Sequence, residues 1–280
     1  MKIGLSSWSY PYAIGNPAHE IPPEPMHLLE LAEKAAGNGA EVLQVADNLP
    51  VLQATTGELD RLRRMADEQG MALEIGTAGL DHENLLRHLD IALGLGASLV
   101  RTLPHRGTEF PTLTQAQERL SRVLPRFETA GVVLGIENHD HYPSAWIRQL
   151  IDSFSSPWLG VCLDAVNNLG LGESFREVLE VLAPVTVNFH CKDYAISRKP
   201  SMLGFDVVGQ VAGEGFLDLA LAYSKLPAEI SWIIESWLPW QGTLKETLSM
   251  EEDWAVRGLA NLRAFRDRQR AGGSRADAAH

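Results

Sequence analysis

VVLGIENHD (132–140), WLGVCLDAVNN (158–168), VTVNFHCKD (185–193) and SWIIESWLP (231–239) are four short apolar runs, each leading into a side chain able to hold a metal ion. Those side chains are Glu137, Asp164, His190 and Glu235. Alternate residues of a strand share a face, so a polar group that ends an apolar run sits where a buried sheet meets water. Three carboxylates and one imidazole also make a coherent ligand set. Rich in oxygen with a single nitrogen, they suit one hard or borderline divalent ion (Mn, Mg or Co), and zinc less well.

The spacing of the four predicts the fold. Glu137 to Asp164 is 27 residues and Asp164 to His190 is 26, one βα step each, whereas His190 to Glu235 is 45. The excess falls in YAISRKPSMLGFDVVGQVAGEG (194–215), which is Gly-rich and weakly periodic and reads as a long functional loop, a lid or a substrate clamp. Further out, KIGLSS (2–7), EVLQVAD (41–47), ALEIGT (72–77) and LVRTLP (99–104) bring the strands to eight.

Between the strands lie amphipathic helical patterns at 26–39, 55–70, 82–96 and 112–131, then at SAWIRQLIDSF, ESFREVLEVLA, FLDLALAYSKL and ETLSMEEDWAVRGLANLRAFRDRQ. Three of the first four have a glycine just past their last apolar residue. Eight βα units in this length predict an α/β fold, a single (β/α)8 TIM barrel over residues 1–265. The remainder, 266–280, ends in AGGSRADAAH and has the composition of a disordered tail.

Charge and cysteine content narrow the functional classes. With 24 basic and 36 acidic residues the chain carries −12, which repels polyanions and argues against a nucleic-acid partner. The two cysteines, Cys162 and Cys191, make no disulfide framework and fit a reducing compartment. MKIGLSSWSYPY lacks an apolar signal core and no run of ~18 apolar residues occurs, so the expectation is a cytoplasmic protein without a membrane partner.

Strand alternation predicts what points inward. Gly135, Cys162, Asn188 and Ile233 precede the four ligands by two residues; His139, Lys192 and Trp237 follow by two; Gln44, Glu74 and Arg101 come from earlier strands. So many ionisable groups are costly to bury unless they bind one another, a metal or a polar ligand. A polar cavity at one end of the barrel is the expectation. Taken singly, Glu137, Asp164 and Glu235 read as solvated loop carboxylates and His190 as a structural histidine. Ending four successive strands in repeat register, they read as one shared metal site.

His105, His139 and His141 follow strands four and five and are candidates for substrate contact. Arg101, Lys192 and Arg198 could receive a substrate anion, or could pair with acids such as Asp193. Trp8, Trp237 and Trp240 flank strand ends, where they would either wall the pocket or pack the core. Cys162 reads as a core residue beside the site and Cys191 as facing the helices, neither with the partners of a nucleophile.

At these residues the chain resembles the xylose isomerase-like TIM barrel superfamily of sugar phosphate isomerases and epimerases, over residues 1–265. The resemblance implies that Glu137, Asp164, His190 and Glu235 hold one divalent ion, and that Glu137 and Glu235 are the catalytic pair, trading a proton through an enediolate. The implied substrate is a small keto sugar or sugar acid, and Asn167 falls at a substrate-contact position of the family. Many epimerases carry a histidine where this chain has Asn167, which leaves the epimerase assignment open. SSWSYPYAIG, CLDAVNNLGLGE, NFHCKDYAISR and VAGEG resemble a narrower subgroup that includes 3-oxo-isoapionate decarboxylases, so decarboxylation of a branched β-keto sugar acid is the alternative reaction. A non-catalytic sugar-binding barrel is the alternative of another class. Homo-oligomers, dimers and tetramers, are common in the superfamily.

Overall fold

Runs of aliphatic and β-branched residues set the strands, and glycine stops the helices between them. The computed structural model describes residues 1–277, with side chains as far as Ala271. Its strands are β1 (Lys2–Ser6), β2 (Val42–Val45), β3 (Ala72–Ala78), β4 (Leu99–Leu103), β5 (Val133–Glu137), β6 (Leu159–Asp164), β7 (Thr186–Cys191), β8 (Asp193–Arg198), β9 (Phe205–Gln210) and β10 (Ser231–Ile234). All but β8 and β9 close into a barrel in the order β1-β10-β7-β6-β5-β4-β3-β2, every pair parallel. The expected single (β/α)8 barrel is the fold observed.

The helices are α1 (Pro11–Ile14), α2 (Leu28–Gly37), α3 (Thr56–Gln69), α4 (His82–Leu95), α5 (Leu113–Ala130), α6 (Ser144–Asp152), α7 (Phe175–Leu182), α8 (Leu219–Lys225) and α9 (Leu244–Asp277). Thr55, Thr112 and Ser174 open α3, α5 and α7 with reciprocal capping boxes, each cap contributing about 1 kcal/mol. Gly96 and Gly131 close α4 and α5 in the left-handed region, at φ 69° and 67°, where a side chain would be strained. No helix among the described residues is long and apolar enough to cross a membrane.

Alternation divides each strand between two environments. Leu73 and Ile75 of β3 join the apolar layer under the helices, as do Leu43 and Val45 of β2 and Phe189 and Cys191 of β7. Cys191 thus faces outward, as expected. Gln44 and Glu74 between them, and Asn188 just before Phe189, point into the barrel and are buried. This places polar groups where aliphatic layers usually fill such a barrel.

Two expectations need correction. The stretch 194–215 is not simply a loop: β8 and β9 pair antiparallel from Asp193↔Gln210 to Arg198↔Phe205. Ile196, Phe205 and Val207 are exposed, so no buried face imposed a period on the sequence; backbone pairing holds the arm. Its root is clasped by one carboxylate. Asp193 Oδ2 accepts from the backbone N–H of Gly213 and Gly215 (2.9 Å each), and Oδ1 from Tyr194 and Leu217 (2.8 and 3.0 Å). A Cβ on Gly215 would collide with Asp193 Oδ1, and Gly213 stands at φ 87°, which together account for the two glycines of VAGEG.

The tail boundary drawn at 265 falls inside α9, which continues to Asp277. Arg266, beyond that boundary, is held to Glu41 by bonds of 2.7 and 2.8 Å, an anchor that composition does not reveal. Residues 278–280 of the expected tail lie outside the described residues.

Candidate active site

Four consecutive barrel strands deliver their last polar side chains to one point at the mouth. Glu137, Asp164, His190 and Glu235 are all buried, none more than 3% exposed. His190 Nδ1 lies 3.5 Å from Glu137 Oε2, 3.9 Å from Asp164 Oδ2 and 3.4 Å from Glu235 Oε1. Two of these atoms, His190 Nδ1 and Glu235 Oε1, are buried without a hydrogen-bond partner, and Asp164 Oδ2 beside them meets only the Lys192 ammonium at 2.9 Å. Buried polar atoms are normally paired, so orphans facing one another mark a place for a ligand.

The barrel interior beneath decides which imidazole nitrogen faces that place. Gln44 Oε1 lies 2.8 Å from His190 Nε2, while the Gln44 amide nitrogen donates to Glu74 Oε2 at 3.0 Å. Because the nitrogen is engaged below, the oxygen must accept from Nε2–H, and Nδ1 is left with its lone pair toward the carboxylates. Asn188 Nδ2 donates to the same Glu74 oxygen at 2.8 Å, and the Cys162 thiol contacts Asn188 Oδ1 at 3.2 Å. Burial pushes the Cys162 thiol up to about 12 and raises the Glu74 carboxyl above its ordinary value. Cys162 is therefore a thiol packed beside the site, as expected, and no nucleophile.

A nitrogen lone pair among three carboxylates repels them unless a cation intervenes. Burial disfavours an imidazolium, yet the surrounding acids outweigh it and hold His190 well above the ordinary histidine value, so the site recruits positive charge in some form. Three carboxylates and a neutral imidazole fit a divalent ion, and Asp164, His190 and Glu235 present atoms within 4.8 Å of one another. Asp164 is already aimed: its other oxygen accepts from the backbone of Val166 and Asn167 at 2.8 and 2.9 Å.

Two cations roof the carboxylates. Lys192 Nζ is 2.9 Å from Asp164 Oδ2 and 3.0 Å from Glu235 Oε2, and it lies 5.3 Å from the centre of the Trp237 ring. Burial works against its charge, but Asp164 and Glu235 more than compensate and keep it an ammonium. Arg101 donates from Nε to Glu137 Oε2 and from Nη1 to Asp47 Oδ1 at 2.7 Å. Asn167 Nδ2 donates to the second Glu137 oxygen at 2.9 Å.

These groups border a pocket of about 210 Å³, further lined by Trp8, Leu103, His139, Asp140 and Trp237. It is of small-molecule size and predominantly polar. Of the residues expected at the site, Arg101, His139, Asn167 and Lys192 are brought to it, with Trp8 and Trp237 as walls. Trp240 instead stacks on His19 at 4.8 Å. His105 is not on the pocket lining; it lies in an aromatic group with Phe110, His139 and His141.

Arg198 is not on the pocket lining. It stands on the hairpin, where its guanidinium lies 4.4 Å from the Phe205 ring centre and donates to Met202 O at 3.2 Å. Asp47 was missed. It stands just past β2, so the rule that found Glu137 applied to it equally.

Geometry and comparison meet at this point. The sequence model of the family described as xylose isomerase-like TIM barrel matches residues 29–264, most of the barrel. The chain belongs to that family. It is 36% identical over 265 residues to the 3-oxo-isoapionate decarboxylase of Pectobacterium atrosepticum, spanning 94% of this chain and 95% of the relative. Among solved structures, the D-psicose 3-epimerase of Clostridium cellulolyticum H10 with D-tagatose superposes with a TM-score of 0.69 at 15% identity, over 94% of this chain and 99% of that one. A xylose isomerase-like TIM barrel protein from Mycobacterium smegmatis, in complex with magnesium, gives 0.65 at 14% identity, over 92% and 96%. At these identities the two structures speak to the fold alone.

Proposed function

We propose that the protein is a divalent-metal-dependent, cytoplasmic lyase that decarboxylates a branched β-keto sugar acid of the 3-oxo-isoapionate kind. The observation that carries this reading is the buried convergence of His190 Nδ1 and Glu235 Oε1, both unpaired, on Asp164 Oδ2, which only the Lys192 ammonium meets. Glu137, Asp164, His190 and Glu235 would hold the ion, with Mn, Mg or Co better suited than Zn to so many oxygens. When bound, a divalent ion polarises a carbonyl oxygen and stabilises negative charge developing there.

The chain's own groups supply the rest. Arg101 and Lys192 attract the substrate carboxylate into a pocket otherwise dominated by acids. As the carbon–carbon bond breaks, carbon dioxide leaves and the bonding pair is left as an enediolate. Lys192 Nζ, held protonated by Asp164 and Glu235, returns a proton to the carbon and regains one from water. Trp8 and Trp237 shield the face from bulk solvent.

Isomerisation, the first expectation from sequence, asks more of Glu137 and Glu235, because one of them must act as a free base. Each is committed to a fixed cation, Glu137 to Arg101 and Glu235 to Lys192. Loss of carbon dioxide needs only an electrophile and an acid, both of which fit these pairings. The similarity to a decarboxylase over nearly the whole chain supports the same choice. A non-catalytic sugar-binding barrel would have no use for so many buried charges.

The test is incubation of purified, Mn²⁺-loaded protein with branched keto sugar acids, ketoses and inososes, with carbon dioxide and sugar isomers measured together. Carbon dioxide release that a chelator stops is the expected result. Isomer formation without gas returns the protein to the isomerases, and sugar binding without turnover makes it a binding barrel.

A further inference from the structure

Beside the pocket, on the rim formed by β4 and β5, stand three imidazoles that the proposed reaction does not employ. His105 lies two residues past β4, and His139 and His141 lie two and four past β5. Their ring nitrogens come within 4.8 Å of one another. His105 is only 8% exposed, and its Nδ1 and that of His139 are both buried without a hydrogen-bond partner. Each orphan of this kind costs about 1–3 kcal/mol if nothing ever satisfies it.

Aromatic packing explains the position of the rings but not the orphans. Phe110 covers the group, with its ring centre 5.1 Å from His105 and 4.3 Å from His141. That contact satisfies ring faces and leaves the in-plane nitrogens unused. Burial, together with His139 and His141, lowers the His105 pKa to about 4, so its ring is neutral near pH 7 with a lone pair to donate. Asp140 Oδ1, 3.7 Å from His139 Nδ1, offers an oxygen on the same rim.

We infer that His105, His139 and His141 form a second cation site, for a borderline ion such as Zn²⁺, with Asp140 or water completing a tetrahedron. At Zn–N distances of about 2.1 Å the ligand nitrogens stand roughly 3.4 Å apart, so the trio must tighten slightly. The exposed His141 ring is the one free to turn inward. Ligand chemistry distinguishes the two sites: three nitrogens favour zinc-like ions over Mn or Mg, while the carboxylate-rich site at the mouth suits Mn, Mg or Co and still takes Zn²⁺ when no other ion competes. The rim ion would stand at the edge of the substrate pocket, which His139 also lines.

Equilibrium dialysis of the full chain against Zn²⁺ alone, followed by metal analysis, tests this. Wild type should retain about two ions per chain, and His141→Gln and His105→Phe about one each. Asp164→Asn should lose the mouth ion and keep the histidine-dependent one. His141→Gln alters an exposed side chain, so a lost ion there cannot be blamed on misfolding, and thermal melts of all variants check this. Wild-type stoichiometry unchanged in both histidine variants, whether one ion or two, overturns the rim site. A single ion that only the histidine variants remove supports the rim site and instead overturns the mouth site on which the proposed lyase depends.

Discussion

Gln44 Oε1 stands 2.8 Å from His190 Nε2, so a residue of β2 fixes the tautomer of a histidine on β7, 146 residues away in the chain. Glu74 in turn orients the amide, because Gln44 Nε2 donates to it at 3.0 Å. Replacing Gln44 with Leu removes the acceptor for Nε2–H and frees the ring to present either nitrogen. Mn²⁺ affinity measured by calorimetry should fall by about 10–100-fold, the usual penalty for losing such an orienting partner. Unchanged affinity would show that the carboxylates alone define the site.

Lys192 supports a second prediction. Lys192→Met keeps the stem but removes the proton donor and the cation between Asp164 and Glu235. Turnover should drop by about 10²–10⁴-fold, as for loss of a general acid. Without metal the variant should also be less stable by about 3–5 kcal/mol, the cost of stranding buried charges, and added Mn²⁺ should restore part of it. Full turnover by the variant would dismiss Lys192 as the acid.

Metal removal gives a third. If the orphaned atoms receive an ion, then Mn²⁺ at about 100 times its Kd should stabilise the protein by about 2.7 kcal/mol, read as a rise in Tm that a chelator reverses. Asp164→Asn should abolish the rise. A Tm indifferent to Mn²⁺ in the wild type would count against the mouth site whatever the activity.

Glu251 predicts a pH dependence of stability. It is fully buried on α9 and accepts from the backbone N–H of Tyr12 and Ala13 at 2.6 and 2.9 Å. Burial outweighs those bonds and raises its pKa to about 7. The folded state therefore holds a proton that the unfolded chain gives up near pH 4.5. Its contribution is complete below that value and is lost as pH rises through 7, about 3 kcal/mol in all. The check is the difference between wild type and Glu251→Gln: the wild type alone should lose stability across this window, and parallel curves would refute the assignment.

The hairpin root yields the last prediction. Gly215→Ala places a methyl against the Asp193 carboxylate, which must then leave its four backbone donors. Faster proteolysis within 194–215 is expected while the barrel's far-UV spectrum persists. Equal proteolysis rates would show that the clasp does not hold the arm.

Much of the site was legible because each of its four proposed ligands stands at the end of a buried, mostly apolar run. Glu137, Asp164, His190 and Glu235 share that local mark, and their repeat spacing implied one barrel. Asp47 carries the same mark but lies on an earlier strand outside the four-strand series, and it escaped notice. The Gln44–Glu74–Asn188 network could not be read, since alternation tells which way a side chain points and not which residue across the barrel it meets. The place of Arg198 on a hairpin was hidden for a related reason: sequence distance past β7 does not give spatial position, and an exposed hairpin leaves no periodic trace.

Lys192 and Asp193 are consecutive, so the ammonium over the site and the carboxylate that grips the arm share one peptide bond. Swinging the arm from its base would tug directly on the proton donor and surrender four backbone hydrogen bonds together. The root of the arm is in this sense a piece of the pocket wall, and a change made at either residue is felt by both.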